Sequence, residues 1–114
     1  YALALKPNGW EVSKEDPAYP GAQRFLASGD APTYPIGTAF DVTVTTTTAG
    51  DAVTMTVSVD GAELATVTDE ESPYPSGAVA AYTEDAVITV GPVSLTTGAA
   101  PSSLSSPSNR TKNP

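Results

Sequence analysis

The sequence contains no cysteine and no histidine. Their absence excludes disulfides, thiolate and imidazole metal sites, haem ligation, and Ser-His or Cys-His nucleophilic catalysis. Zero cysteine leaves the redox compartment open; it says only that no disulfide holds the domain together. Positive charge is scarce as well: five Lys and Arg stand against thirteen Asp and Glu, for a net charge of −8. Two of the five, Arg110 and Lys112, lie in the last five residues, so Lys6, Lys14 and Arg24 are the only basic residues before them. Such a surface repels phosphate, which makes nucleic acids and anionic membranes poor partners. No apolar run approaches the ~20 residues that a membrane span needs. No signal peptide is visible either. The chain opens on Tyr1, which suggests a processed chain or a piece of a longer one.

What is present is the material of a small β-domain. The length, 114 residues, suits one core and no more. Thr, Ser, Ala, Gly and Pro take the place of the missing charge. Residues 2–6 read as a strand, Pro7-Asn8-Gly9 as a turn, and Trp10-Glu11-Val12-Ser13 as the returning strand of a hairpin. A loop follows over 14–23, a short strand over 24–28, and a second loop over 29–38. The strongest signal comes next. Phe40, Val42 and Val44 alternate with Asp41, Thr43 and Thr45. Val53, Met55, Val57 and Val59 alternate with Thr54, Thr56, Ser58 and Asp60. Period-2 alternation over two segments predicts strands with one dry face and one wet face. Asp60-Gly61 predicts a tight hairpin into a strand at 63–68. Residues 69–76 read as an acidic loop. Two last strands are expected at 77–83 and 86–96, with Pro92 marking an edge or a bulge. Eight short strands without a helical period predict an all-β antiparallel sandwich or barrel over 1–97. Residues 98–114 lose all periodicity and read as a Pro/Ser-rich linker or disordered tail. Asn109-Arg110-Thr111 within it is a glycosylation sequon.

The order of these segments resembles a known family. Val59-Asp60-Gly61, Thr68-Asp69, Gly77-Ala78-Val79-Ala80 and the final Ala86-to-Leu95 strand follow the pattern of concanavalin A-like jelly rolls, the laminin G-like and lectin/glucanase group. Within it the chain is most similar to the lectin-type domains of secreted glycoside hydrolases such as galactosylceramidases. Asn8-Gly9-Trp10 and Leu26-Ala27 fit the same plan. Two positions depart from it: Ala80 stands for a glycine, and Val90-Gly91-Pro92 for the Phe-Asp-Asn triplet that brings an Asp near the calcium site. The resemblance implies a jelly roll and a secreted, non-catalytic lectin-like role. Because such domains have further strands before the hairpin, it also implies that this chain is part of a larger jelly roll or pairs with another chain.

Candidate chemistry falls into four groups. Glycosidases use two carboxylates at a set separation; Glu11, Glu15 and Asp16, or Asp69, Glu70 and Glu71, could supply them. Neither set forms the strand-borne Glu-x-Asp-x-x-Glu array of jelly-roll glucanases, so catalysis by this chain alone is not expected. Structural Ca2+ is a second candidate, with Asp69, Glu71 and Asp85 as oxygen ligands; an acidic, solubilising surface accounts for the same residues. The third group is aromatic. Trp10, Tyr19, Tyr34 and Tyr74 lie in or beside loops, and each of the three tyrosines precedes a proline that stiffens it. Sugar rings stack on such side chains, although all four also suit sites that seal a core. Phe25 and Phe40 read as core. The fourth group is the ladder Thr43, Thr45, Thr47, Thr54 and Thr56, which suits either a flat polar binding face or a plain solvated sheet.

Two functions follow as expectations. The first is a carbohydrate-binding, lectin-like domain accessory to a secreted glycoside hydrolase. Its partners would be a neutral glycan and a catalytic domain or second chain of the same protein. The alternative is a structural or adhesive extracellular subunit that self-assembles through its β-sandwich.

Overall fold

A computed structural model of the chain describes residues 1–83, 86–97 and the backbone of 102–105. The structure is all-β, and among the described residues there is no α-helix. It divides into two compact units, Tyr1–Thr38 and Ala39–Pro114.

The first unit is a three-stranded antiparallel sheet in the order β1-β2-β3, formed by Ala2–Lys6, Gly9–Glu15 and Gln23–Gly29. Pro7-Asn8 forms the expected tight connection. Beyond it, β2 runs two residues further than alternation suggests and takes in Lys14 and Glu15. Pairing sets Leu5 opposite Trp10 and Leu3 opposite Val12, and alternation places Lys14 on this same face. Trp10 and Val12 are buried, and so, against expectation for a cation, is Lys14. An irregularity in register at Val12 and Ser13 leaves Leu26 as an extra residue in β3. An inserted residue reverses which residues face which side. Phe25 thereby falls opposite Ser13 and is 56% exposed, which corrects its reading as core.

The second unit is a five-stranded antiparallel sheet in the order β6-β5-β4-β8-β7. β4 (Val42–Ala49), β5 (Ala52–Val59) and β6 (Ala62–Asp69) form a meander; β7 (Ser94–Thr97) and β8 (Ser102–Ser105) complete the sheet beside β4. The Asp60-Gly61 turn has φ of 51° and 83°, the double positive φ of a type I′ hairpin. The Asp60 N–H donates to the Asp41 carbonyl at 2.8 Å, and the Asp41 N–H to the Asp60 carboxylate at 2.9 Å. This clamp fixes the start of β4 against the end of β5. The dry face is the one alternation predicts: Val42, Val53, Met55, Val57 and Val59 are buried, joined by Phe40 and Val67.

Two expected strands are missing or shortened among the described residues. Residues 77–83 are irregular, and of 86–96 only the stretch from Ser94 is paired. The first is mostly Gly and Ala, which have little side chain to pack on a sheet. In the second, Pro92 offers no N–H to a ladder and follows Gly91. In the stretch expected as a linker, Ser102–Ser105 pairs with β4, with Leu104 opposite Val44. Four residues are too few for periodicity to reveal. The rest of 98–114, including the Asn109 sequon, lies outside the described residues.

Candidate functional site

The outer face of the meander is the most regular chemical surface of the protein. Register places Thr47, Thr54 and Thr68 in one row across β4, β5 and β6. Thr45, Thr56 and Thr66 form the next row, and Thr43, Ser58 and Glu63 the third. Thr54 and Thr68 share a hydroxyl–hydroxyl hydrogen bond of 2.9 Å, and Thr56 and Thr66 one of 3.1 Å. Each such pair consumes one hydroxyl proton, leaving the other hydroxyl able to donate and both oxygens able to accept. Branching at Cβ holds χ1, so the hydroxyls are fixed before any ligand arrives. Rows repeat about every 6.8 Å along a strand and about every 4.8 Å across strands. In a chain with thirteen acidic residues, these three rows carry one carboxylate, Glu63, at their corner. Alternation in β4 and β5 reveals six members of the array, Ser58 among them; Thr66 and Thr68 join it through the hairpin register. The alternation of β6 is their available signal.

The four aromatic candidates do not form one site. Trp10 is 9% exposed and Tyr34 8%, so neither offers a ring face for stacking. The Trp10 indole lies against Gly29, its cross-strand partner, where a Cβ would come within 2.7 Å of its nitrogen. That nitrogen donates to the Ala31 carbonyl at 2.9 Å, and the Tyr34 N–H donates to the Lys6 carbonyl at 2.9 Å. Both residues therefore tie the loop after β3 to the first hairpin. Tyr74 is 39% exposed, well above Trp10 and Tyr34.

Tyr19 occupies a loop closed by Asp16. The Asp16 carboxylate accepts the Ala18 N–H at 2.9 Å, its carbonyl accepts the Tyr19 N–H at 3.1 Å, and its N–H donates to the Ala22 carbonyl at 3.0 Å. The ring it positions has the Lys14 ammonium at 5.8 Å and the Arg24 guanidinium at 5.9 Å from its centroid. Lys14 and Arg24 are direct cross-strand neighbours, a like-charge pairing that is unfavourable by itself. The negative face of the ring offsets it. The sequence does not tie either cation to Tyr19, because 14–23 reads as one loop. Tyr19→Leu is expected to cost about 1–2 kcal/mol by removing two cation–π contacts, and Tyr19→Phe under ~0.5 kcal/mol, since it keeps the ring. Urea unfolding of the two variants measures the difference.

Four of the candidate carboxylates, those of Glu11, Glu15, Asp16 and Asp69, have structural partners. Lys6 and Glu11 form an ion pair across β1 and β2. Glu15 accepts from the Ser13 hydroxyl at 2.8 Å, and Gln23 donates to that hydroxyl at 3.2 Å. Asp16 closes its loop as described. Asp69 is fully buried on the dry side of β6, opposite Val53, and its carboxylate accepts the Glu71 N–H at 2.9 Å. Of the expected calcium ligands, Asp69 and Glu71 are thus joined by a local turn, and Asp85 lies outside the described residues. Among the described residues, no three Asp or Glu gather where they could hold a metal ion. No helix among them is long and apolar enough to cross a membrane. Comparison with protein-family models, curated proteins and solved structures gives no match for this chain.

Proposed function

We propose that this chain is a non-catalytic carbohydrate-binding module of the lectin-like β-sandwich type, accessory to a secreted glycoside hydrolase. The observation that supports the reading is the hydroxyl face of β4–β6. A neutral glycan is a chain of hydroxyls and ring C–H groups at regular intervals. The face offers it fixed hydroxyls interleaved with threonine methyls, almost without charge. Pre-fixed donors lower the ordering cost of binding. Tyr74, exposed beyond the end of β6, offers an aromatic ring for stacking, and the family resemblance of the sequence points the same way. Sulfated or uronic polymers are disfavoured, because a chain of net charge −8 repels them.

Contacts of this kind give affinities of roughly micromolar to millimolar. Titration against an array of neutral glycans, with and without calcium, is the test. Thr56→Asp sets a carboxylate in the middle of the array and is expected to weaken binding at least about tenfold, with circular dichroism unchanged. Tyr74→Ala is expected to weaken it less. If the wild type binds no neutral glycan, or Thr56→Asp binds as well as the wild type, the reading fails.

A further inference from the structure

The hydroxyl rows of β4–β6 lie in a stretch of chain whose charge has one sign. After Arg24 the sequence has no Lys or Arg until Arg110. Of the thirteen Asp and Glu, only Glu11, Glu15, Asp16 and Asp30 precede Ala39, so the other nine fall between Ala39 and Arg110. Their placement around the rows is specific. Glu63 stands in the third row itself, opposite Ser58, with Thr43 one strand further on, and it is exposed. Strands are about 4.8 Å apart, so one short oligosaccharide can touch this carboxylate and both hydroxyls. Two residues beyond the row, about 7 Å along the strands, Asp41 and Asp60 are joined by their hydrogen bonds. Asp51 occupies the turn between β4 and β5, past the other end of the array. Hydroxyls fill the middle of the face, and carboxylates border it.

We propose that the preferred ligand of this face is a glycan bearing protonated amines, a polymer of amino sugars with some or all of its N-acetyl groups removed. The inference deepens the sugar-binding reading and rests on it. The hydroxyl rows select a sugar; the carboxylates select among sugars. An ammonium group on the ring forms a charge-assisted hydrogen bond with Glu63, stronger than a neutral hydroxyl makes. The hydroxyls of the same and the next ring then lie over Thr43, Ser58 and the Thr56–Thr66 pair. The field of nine carboxylates gathers a polycation at the surface and speeds its approach. It is the same field that repels sulfated and uronic polymers. Exposed charge pairs are each weak, so the preference comes from several amines on one chain and needs an oligomer.

Calorimetric titration of the 114-residue chain with two oligomers of equal length reads the result. One is a glucosamine hexamer and the other its fully N-acetylated form, in mildly acidic, low-salt buffer where the amines are protonated. The glucosamine oligomer should bind at least about tenfold tighter. Added salt should narrow the gap by screening. Glu63→Gln should weaken the glucosamine oligomer about three- to fivefold and leave the acetylated one within about twofold. Glu70→Gln is the control: it removes the same charge from the loop after β6, outside the rows, and should change either affinity less than about twofold. Both residues are exposed, so neither change reaches the core. Equal affinity for the two oligomers, a gap that salt leaves unchanged, or equal effects of the two variants would overturn this inference and leave the sugar-binding reading standing. If the acetylated oligomer and every neutral glycan fail to bind, the sugar-binding reading falls, and this inference with it.

Discussion

Val57→Asp is expected to unfold the five-stranded sheet. Val57 is 2% exposed, sits in the middle of β5, and pairs with Val44 on one side and Ala65 on the other. Met55 and Val59 flank it on the same buried face. A carboxylate there would stand among the buried apolar side chains of this face. Burying an unpaired charge costs several kcal/mol even after the structure relaxes. A small domain has about 5–15 kcal/mol in total, so the variant should lose its cooperative urea transition or shift it to very low denaturant. Thr56→Asp, one residue away, points to the wet face and loses only one exposed hydroxyl contact and some strand propensity, about 1 kcal/mol. The contrast between neighbours carries the information. Equal effects at both positions would mean that the register of β5 is wrong by one residue.

Gly9→Ala has the second largest expected effect, and its cause lies in the neighbouring strand. Gly9 opens β2 with φ of 137°, a value that L side chains rarely adopt. A Cβ built on it comes within 2.1 Å of the Gly29 carbonyl oxygen and 3.1 Å of the Asp30 Cα. Both are main chain of the neighbouring strand and its exit, so no rotamer change makes room. β3 would have to move away from β2, which would disturb the Trp10–Gly29 pairing and the indole hydrogen bond to Ala31. The sum is about 3–5 kcal/mol, at the upper end for one substitution. Gly21→Ala is the control. Gly21 also has positive φ, 70°, but nothing lies within 4 Å of its Cβ position, so its cost stays near ~1 kcal/mol. Thermal melts of the two variants separate steric contact from backbone preference.

The regions legible in the sequence share a property: their pattern is local and strong. Val53, Met55, Val57 and Val59 repeat every second residue, and the Asp60-Gly61 pair is a turn whatever surrounds it. Together they fix β5, its buried face and its connection to β6. The Thr ladder follows from the same alternation, since the residues between buried valines must face the other way. Where the sequence misleads, a neighbouring segment decides. Phe25 is as apolar as Phe40, yet the shift in register at Val12 and Ser13 turns it outward. Trp10 and Tyr34 sit beside loops, as a binding aromatic would, but the loop after β3 is tied back to the first hairpin and both are buried. Residues 86–93 alternate well enough for a strand and remain outside the ladder, which starts at Ser94.

The sequence by itself determined the class of the protein: antiparallel β, acidic, without thiol or imidazole chemistry, and with a valine face backed by a threonine face. These are properties of composition and of a two-residue period, and they hold for any arrangement of the strands. Only the tertiary structure decided that Thr66 and Thr68 complete the hydroxyl rows, that Tyr19 lies beside Lys14 and Arg24, and that Glu63 stands in the third of those rows. Each of these depends on which strand lies beside which. That pairing is set by burial of the valine face across distant segments, and by bulges that shift register by one residue. Neither leaves a mark in a window of a few residues.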